Sequence, residues 1–484
     1  MAENNAPLKD KVVSGLVWIF GERILAQGVS FLVSIILARI LMPEEYGIVA
    51  LVLVFLNIAD VFVSNGFGES LVQKQHATET DFSTVFYCSF AFSWLVYAVL
   101  FASAGWVADY YANKLLCPVL RVLALKIPLA SVSSIQHAYV SKHMIFKKFF
   151  FSSLGGTLLS GGVGIAMALG GCGVWALVGQ YLVNTMVDTV VLFLTVPWRP
   201  RRLFSAAAAR QLIGYGWKLT AASLINTIYG ELRSLIIGKK YSSADLAYYN
   251  RGNQFPSLVI ANVDTSIGTV VFPAMAAVGS DAERLRAVGR RAMKTTSYII
   301  FPLLTGLFVV AEPLVELLLT EKWLVCVPYL RFSCLYFLCQ PIQTMNWQVI
   351  KTMGRSDLCL KLEVLKKGIG IAIILVTMNY GVTAIAAGNA AFAAVSMFIN
   401  MLPNRRLIGY TIRQQFADLL PAALLSLAMG GVVYALGALP WPPLALLPLQ
   451  IAAGGAVYLL GSVAFRLESF TYLFDILKRR LPAR

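Results

Sequence analysis

The feature that most constrains this chain is a succession of long apolar runs that occupies most of its length. Each run is about 20 residues or longer, the length at which a helix rising ~1.5 Å per residue crosses a ~30 Å hydrocarbon layer. Hydrophobic residues make up 58% of the 484 residues and charged residues only 13%, whereas soluble domains average about 45–50% and about 25%. The composition therefore excludes a soluble enzyme, a disordered chain and a disulfide scaffold, and it predicts a polytopic membrane protein.

Fourteen of the runs are long enough to be transmembrane helices. They are about twice as long as a membrane-spanning strand and do not alternate in polarity, so helices are favoured over a β-barrel. The connections between them are short, which leaves no room for an inserted soluble domain. The predicted spans are 12–38, 46–66, 83–108, 116–138, 149–170, 173–196, 213–238, 250–272, 291–318, 328–351, 358–378, 382–402, 417–438 and 445–465.

Basic residues predict how the spans are oriented. An even number of spans places both termini on one face, and the loops assigned to that face carry the excess of Lys and Arg behind the net charge of +16. Because cytoplasmic loops collect Lys and Arg, this face is predicted to be cytoplasmic. The same residues are expected to set the topology and contact anionic membrane lipids, not to bind nucleic acid. The first run is too long for a cleavable signal and carries Glu22 and Arg23, so it is expected to remain as a helix.

Two groups of six spans resemble each other, which predicts an internal duplication. The segment ARILMPEEYG at 38–47 corresponds to GKKYSSADLA at 238–247, and PVLR at 118–121 returns as PYLR at 328–331. Because six is an even number, both copies should have the same orientation and be related by an axis along the membrane normal. The predicted fold is thus all-α, with two six-helix lobes and two additional C-terminal helices. The corresponding ranges are 1–200 for the N-lobe, 201–405 for the C-lobe, and 406–484 for spans thirteen and fourteen with a cytoplasmic tail.

Ten ionisable residues are assigned to the interior of the predicted spans. Facing lipid at a helix centre, each would cost roughly 2.5–3.5 kcal/mol, so the set would cost on the order of 25–35 kcal/mol. That exceeds a typical net folding stability of ~5–15 kcal/mol, so most of these residues are expected to face one another or a water-filled cavity. The ten residues are Glu22, Arg23, Asp60, Arg121, Lys126, Asp188, Lys218, Glu231, Arg233 and Asp264.

The basic members of this set predict an anion site in the cavity. Lys and Arg side chains without a permanent carboxylate partner are well suited to bind phosphate or pyrophosphate. Amide side chains at helical spacing share their faces, since Gln27 follows Arg23 by four residues and Asn226 follows Lys218 by eight. The predicted substrate-binding residues are Arg23, Lys126, Lys218, Arg233, Gln27 and Asn226.

The acidic members are candidates for ion coupling, and the residues that could carry a proton or a sodium ion are Asp60, Asp188, Glu231 and Asp264. No Walker A sequence occurs, so an ion gradient, the membrane potential or downhill flux is expected to drive transport in place of ATP. The seven cysteines form no CxxC pair, so neither a metal site nor any other cofactor is predicted. An alternative stays open, in which the charges are local ion pairs such as Glu22–Arg23 that only fix helix packing.

Short motifs near helix ends resemble those of one transporter family. The longest are ARILMPEEYG at 38–47 and GFGESLVQK at 66–74. Over about residues 10–405, the chain resembles the polysaccharide transporter (Wzx-type) flippases of the multidrug/oligosaccharidyl-lipid/polysaccharide exporter superfamily. The other positions that carry the resemblance are Trp18, Gly21, Tyr248, Tyr249, Asn250, Glu321, Lys322, Trp323, Gly354 and Arg355.

The resemblance implies a fold of two six-helix lobes around a central cavity, plus two further helices. It also implies that an undecaprenyl-pyrophosphate-linked oligosaccharide moves by alternating access from the cytoplasmic to the periplasmic leaflet of a bacterial inner membrane. Exopolysaccharide units of the colanic-acid type or O-antigen-type units are the implied cargo, and a polysaccharide polymerase or export machinery could be a partner. The family supplies no ligand motif that matches here, so the site residues above follow from residue type and position alone.

Two other functions remain open from the sequence. An ion-coupled drug or small-molecule exporter of the same superfamily would bind cationic compounds in an acidic cavity. A membrane polysaccharide ligase or polymerase would need acid–base residues in a sizeable outer loop. The outer loops are short, and Glu312, Glu316 and Glu321 form a sparse group beside a span end. The chain is therefore expected to be a transporter and not an enzyme, with no catalytic residues.

Overall fold

The computed structural model of the chain describes residues 25–64, 71, 78–143, 147–279 and 281–480. Within these ranges all regular secondary structure is helical, which confirms the predicted all-α class. The helices up to residue 278 are α1 (Leu25–Ile40), α2 (Pro43–Ser64), α3 (Glu79–Tyr110), α4 (Leu116–Leu123), α5 (Lys126–His143), α6 (Lys147–Leu169), α7 (Val174–Thr195), α8 (Ala206–Lys240) and α9 (Ser243–Val278). The later helices are α10 (Ala282–Val309), α11 (Ala311–Leu319), a 3₁₀ turn (Glu321–Cys326), α12 (Val327–Leu338), α13 (Gln340–Thr352), α14 (Ser356–Thr377), α15 (Val382–Leu407), α16 (Ile412–Leu436), α17 (Pro443–Ala464) and α18 (Glu468–Arg480).

Ten segments among the described residues are long and apolar enough to cross a membrane, so the protein is an all-α membrane protein. Helices α8, α9 and α14 coincide with further predicted spans, and charged side chains are spread along α8 and α14. The count of fourteen spans stays a prediction. The ten segments are α2, α3, α4 with α5, α6, α7, α10, the 3₁₀ turn with α12 and α13, α15, α16 and α17.

Proline residues explain where the helices depart from the predicted spans. A proline lacks the backbone N–H, and its ring collides with the carbonyl group four residues earlier in a continuous helix. Pro313 would collide with the carbonyl of Val309, where α10 ends, although the predicted span continued to residue 318. Pro128 and Pro341 break the fourth and tenth predicted spans in the same way, into α4 and α5 and into α12 and α13.

Residues 1–247 form the first compact unit of the chain. Helices α6 and α7 make its most extensive helix contact, α5 packs on α3 and α7, and α8 packs on α2 and α3. A buried apolar cluster that includes Phe82, Ile135, Leu192 and Trp198 joins α3, α5 and α7. This packing fixes the facing sides of α5 and α7, from which the polar side chains described below project.

Residues 248–484 form the second compact unit. Its main core is rich in methionine and joins α10, α13, α15 and α16. Three buried amide side chains, which we call the amide network, connect α13, α15 and α16: Nδ2 of Asn346 donates to Oε1 of Gln415 at 2.8 Å, and Nδ2 of Asn404 donates to Oδ1 of Asn346 at 2.6 Å. Inside a membrane protein such pairings link helices, because an unpaired amide would be costly there.

Matching arginine contacts occur in the two predicted repeats. Arg121 donates from Nε to the carbonyl of Phe101 at 3.2 Å, and its guanidinium lies 4.5 Å from the centre of the Phe101 ring. Arg331 donates to the carbonyl of Phe308 at 3.4 Å, and its guanidinium lies 5.8 Å from that ring. The PVLR and PYLR motifs therefore bind the preceding long helix through the same pair of contacts.

The repeated segments at 38–47 and 238–247 also begin their next helices alike. A carboxylate in the first turn accepts a hydrogen bond from the backbone N–H that precedes the helix: Met42 donates to Glu45 at 2.7 Å, and Ser242 donates to Asp245 at 3.1 Å. Both contacts satisfy an N–H group that the helix itself leaves unpaired. These matches support the duplication. The lobe boundaries at 200/201 and 405/406 stay predictions. The compact units divide elsewhere, at 247/248, because α8 packs on α2 and α3 of the first unit.

Candidate functional site

A polar cavity of about 320 Å³ lies among α5, α6 and α7 in the first unit. Each of these helices belongs to a segment able to cross a membrane. The cavity lies toward the C-terminal end of α5 and the N-terminal end of α6. One histidine comes from α5, hydroxyl groups come from α6, and an amide and a carboxylate come from α7. The lining residues are His137, Phe149, Ser152, Ser153, Thr157, Asn184 and Asp188.

Asp188 is the centre of the polar contacts in this cavity. Its Oδ1 accepts a hydrogen bond from Oγ of Ser152 at 2.6 Å, and its Oδ2 lies 3.1 Å from Nε2 of His137. The side chain of Asp188 is 22% exposed and that of His137 is 45% exposed, so the pair is reachable from outside the unit. Phe149 covers the imidazole, with the two ring centres 4.9 Å apart.

Small residues bring α6 and α7 close enough to build the cavity wall. A Cβ placed on Gly156 would lie 3.3 Å from the carbonyl oxygen of Asn184, and one on Gly164 would lie 3.1 Å from Cβ of Gln180. Nδ2 of Asn184 donates across the interface to Oγ of Ser160 at 3.3 Å. Positions 180, 184 and 188 are one turn apart, so the polar stripe of α7 faces α6 and places Asp188 at the cavity.

The chemistry of this group of side chains suits a proton or a small cation. An imidazole beside a carboxylate can share a proton, and histidine is the side chain whose ordinary pKa lies closest to neutral pH. The carboxylate and hydroxyl oxygens of Asp188, Ser152 and Thr157 are the kind of ligands that hard cations prefer. Among the described residues, no group of three or more His, Cys, Asp or Glu side chains is placed to hold a metal ion.

A second polar region lies on the α2–α8 contact of the same unit. Nδ2 of Asn57 donates to Oε1 of Glu231 at 2.9 Å, which joins the two helices. The guanidinium of Arg233 lies 5.9 Å from the ring centre of Tyr229, one turn earlier on α8. The Nε of Arg233 is buried and, among the described atoms, has no acceptor within hydrogen-bond distance.

The other predicted site residues are spread over the first part of the chain. Lys126 begins α5, eleven residues from His137, or about 16 Å along the helix, so it lies away from the Asp188 cavity. Gln27 on α1, Asp60 on α2 and Asn226 on α8 are exposed on the surface of the unit. Arg23 and Glu22 lie outside the described residues, and Lys218 and Asp264 lie on α8 and α9 with side chains that are likewise outside them.

Some residues of interest are missing from the sequence-predicted site. The sequence offers one sign that His137 belongs to a polar site, because His137 shares a helical stripe with Lys126 and Ser133. It offers no such sign for Ser152. Charged residues of α14 also fall within the predicted eleventh span, although the ten interior charges do not include them. These are Lys361, Glu363, Lys366 and Lys367.

Comparison with known proteins agrees with this architecture. The sequence profile described as "Polysaccharide biosynthesis protein" matches residues 36–328, which is more than half of the chain. The chain belongs to this family. The resemblance to Wzx-type polysaccharide transporters is thereby confirmed. One relative, the lipopolysaccharide biosynthesis protein WzxC of Escherichia coli strain K12, is 26% identical over 441 residues, which cover 89% of this chain and 88% of the relative.

Solved structures show the same fold at low sequence identity. The lipid II flippase MurJ, in an inward closed conformation, aligns over 94% of this chain and 99% of its own with a TM-score of 0.75 and 15% identity. A multidrug resistance MATE family transporter in an inward-facing conformation aligns over 82% of this chain and 98% of its own, with a TM-score of 0.62 and 14% identity. The protein is a membrane transporter of this family and not an enzyme.

Proposed function

We propose that this protein is a flippase that moves undecaprenyl-pyrophosphate-linked oligosaccharide units from the cytoplasmic to the periplasmic leaflet of a bacterial inner membrane. It would do so by alternating access between two six-helix lobes, with fourteen spans and both termini in the cytoplasm. Exopolysaccharide or O-antigen-type units are the proposed cargo. The family membership and the names of the relatives, a lipopolysaccharide biosynthesis protein and a lipid II flippase, support this proposal.

The observation that carries the proposal is the Asp188 cavity itself. A partly exposed carboxylate and imidazole within membrane-spanning helices are expensive to maintain unless water or an ion reaches them. In a dry structural pair, both groups would be enclosed and every polar atom satisfied by the protein. Here both groups remain open to a cavity of about 320 Å³, which is large enough for several water molecules.

Ion coupling is proposed to run through this cavity. Binding of a proton or a sodium ion at Asp188 would replace its contact with His137, and release of the ion would restore that contact. Such an exchange gives α5 and α7 two discrete arrangements, as coupled transport requires. Asp60, Glu231 and Asp264 remain further candidates for coupling in the same proposal.

The anionic headgroup is proposed to bind at basic residues of the first unit, including those of α8. Arg233 offers a buried Nε donor without an acceptor among the described atoms, which suits a phosphate oxygen. The exposed amides Gln27 and Asn226 would bind sugar hydroxyl groups. Arg23, Lys126 and Lys218 complete the proposed set, while the polyprenyl tail stays in lipid.

A leaflet-transfer assay with the purified full chain tests this function. Proteoliposomes would carry an undecaprenyl-pyrophosphate-linked oligosaccharide, and a membrane-impermeant lectin would report how much of it reaches the outer leaflet. We expect protein-dependent transfer of this lipid and no accumulation of cationic dyes in the same vesicles. Dye accumulation without lipid transfer would instead favour a drug exporter, the function of the MATE protein that shares the fold. Consumption of the lipid with growth of the glycan would show a polymerase.

A further inference from the structure

Helices α2 and α8 of the first unit pack against each other in antiparallel register, and we call this contact the α2–α8 seam. At one point of the seam, Nδ2 of Asn57 donates to Oε1 of Glu231 at 2.9 Å. Six residues earlier on α2 and seven residues later on α8, Leu51 meets Gly238. A Cβ on this glycine would lie 3.0 Å from Cδ1 of Leu51. Glycine at such a contact lets two membrane helices approach closely.

Backbone contact closes the end of the seam that is periplasmic in the proposed topology, which we call the outer end. There Gly47 of α2 lies against Ser243, the first residue of α9, and both belong to the first unit. A Cβ on Gly47 would lie 1.7 Å from the carbonyl oxygen of Ser243, so only glycine permits this approach. The two residues fall in the repeated segments 38–47 and 238–247. The helix starts that correspond in the duplication therefore touch each other.

Lys239 adds a contact between the outer ends of α8 and α3. Its ammonium group donates to the backbone carbonyl of Tyr110 and lies 4.1 Å from the centre of the Tyr110 ring. Tyr110 is the last residue of α3, where carbonyl groups lack partners within the helix and the helix dipole favours a cation. The charge of Lys239 therefore strengthens its contacts with both the carbonyl group and the ring.

The two halves of the seam differ in burial. Toward the outer end, Leu51 is 1% exposed, and Ile237 and Leu246 are fully buried. Toward the inner end, Asn57 and Gly230 are exposed. The helices are thus packed together at the outer end, while the seam is open at the inner end.

Helix α8 lies in the predicted C-lobe, yet it packs on α2 and α3 of the predicted N-lobe. A movement between the two lobes would therefore change these contacts. Glycine meeting a backbone carbonyl buries little apolar surface, so the contact at Gly47 is close without being strongly attractive. Such a contact can separate and form again at small cost, unlike a packed apolar core.

We infer that the outer half of the α2–α8 seam is a closure that separates during transport, with Gly47 allowing the close contact and Lys239 acting as its latch. The inference rests on the proposed alternating access, in which the outer side opens after the inner side has closed. It assigns to Lys239 a role in holding one conformation and none in binding the cargo.

Labelling of a thiol at position 230 from each side of the membrane tests the inference. A Cβ on Gly230 would meet no atom within 4 Å, so Gly230→Cys places a probe at the inner half of the seam without strain. A membrane-impermeant maleimide would be added to spheroplasts, which expose the outer side, and to inside-out vesicles. Peptide mass spectrometry reads position 230 separately from the seven native cysteines. We expect labelling from the cytoplasmic side to be at least tenfold faster than labelling from the outer side.

Variants of the closure should change only the outer-side rate. In the Gly230→Cys background, Lys239→Gln and Gly47→Ala should each raise that rate about fivefold, because each weakens the closed arrangement. The matched controls are Lys114→Gln, an exposed lysine beyond α3, and Gly105→Ala, a glycine of α3 with open space around its Cβ. Both controls should be labelled like the parent. Lys239→Gln removes no packed side chain, so it decides the test if Gly47→Ala does not fold.

The outcomes separate the closure from the transported substrate. Equal labelling of position 230 from both sides, or no labelling from either side, would overturn the inference. An unchanged outer-side rate in Lys239→Gln would also overturn it, yet would leave the flippase proposal standing if leaflet transfer is observed. The expected labelling pattern without any leaflet transfer would support the closure and contradict the proposed function.

Discussion

Replacement of Asp418 by Asn should destabilise the second unit more than any single change to a surface ion pair. The Asp418 carboxylate is 5% exposed and accepts two hydrogen bonds from Arg290, one of them 2.7 Å long to Oδ1. Nζ of Lys294 lies 3.3 Å away, and the Tyr410 hydroxyl donates at 2.7 Å. The substitution keeps the shape of the side chain and removes its charge, so Arg290 loses its carboxylate partner and Lys294 keeps only Glu468.

The size of the effect follows from burial. Removing one partner of a fully buried ion pair costs about 3–5 kcal/mol, whereas exposed pairs contribute only about 0–1 kcal/mol. The side chains of Arg290 and Lys294 are 44% and 22% exposed, so solvent can partly hydrate both after the change. We therefore expect the free energy of unfolding to fall by about 2–3 kcal/mol, between these limits.

Unfolding by detergent titration, followed by near-ultraviolet circular dichroism, measures this loss. Asp357→Asn is the matched control, because Asp357 also makes a two-bond contact with an arginine but is half-exposed on the surface, and we expect no measurable change for it. An Asp418→Asn/Arg290→Gln double variant should lose less free energy of unfolding than the two single variants lose in sum. A loss for Asp418→Asn as small as for the control would refute the reasoning.

Two further changes probe the helix starts and the C-terminal helix. Gly47→Ala should lower the free energy of unfolding by about 1–3 kcal/mol, because a Cβ at this position would overlap the carbonyl oxygen of Ser243, whereas Gly105→Ala, with open space around it, should not. Thermal unfolding at neutral pH checks both. The Lys294 ammonium lowers the pKa of Glu468, so the pair stabilises the folded chain above the ordinary glutamate pKa of about 4.3 and loses this contribution as the pH falls through the lowered value. The difference in Tm between wild type and Glu468→Gln should accordingly shrink on acidification, and a constant difference would be evidence against the pair.

The helical class and most helix positions could be predicted from the sequence, because apolar length is a strong local signal. The apolar runs do not encode where a helix breaks. Three of the breaks fall at prolines, whereas four helices continue through an internal proline, namely Pro302, Pro403, Pro421 and Pro448. Pro313 was visible in the sequence, yet the apolar residues on either side of it suggested one continuous span. Helices α8 and α14 were predicted as spans, although charged residues interrupt their apolar stretches.

The candidate site could be predicted in part. Asp188 was predicted because an acidic residue in an apolar run is conspicuous. Its partners could not be predicted, since His137 and Ser152 come from other helices, 51 and 36 residues earlier, and only tertiary packing brings them to the carboxylate. The joining of Asn57 to Glu231, 174 residues apart, is of the same kind.

The most direct test of the coupling role of the Asp188 cavity is the initial rate of leaflet transfer under an imposed pH or sodium gradient. The comparison would use wild type, Asp188→Asn and His143→Gln, the last being an exposed histidine of α5 outside the cavity. The account predicts that a gradient accelerates transfer in wild type and in His143→Gln, while Asp188→Asn transfers lipid at the same slow rate with or without it. A full gradient response in Asp188→Asn would contradict the account.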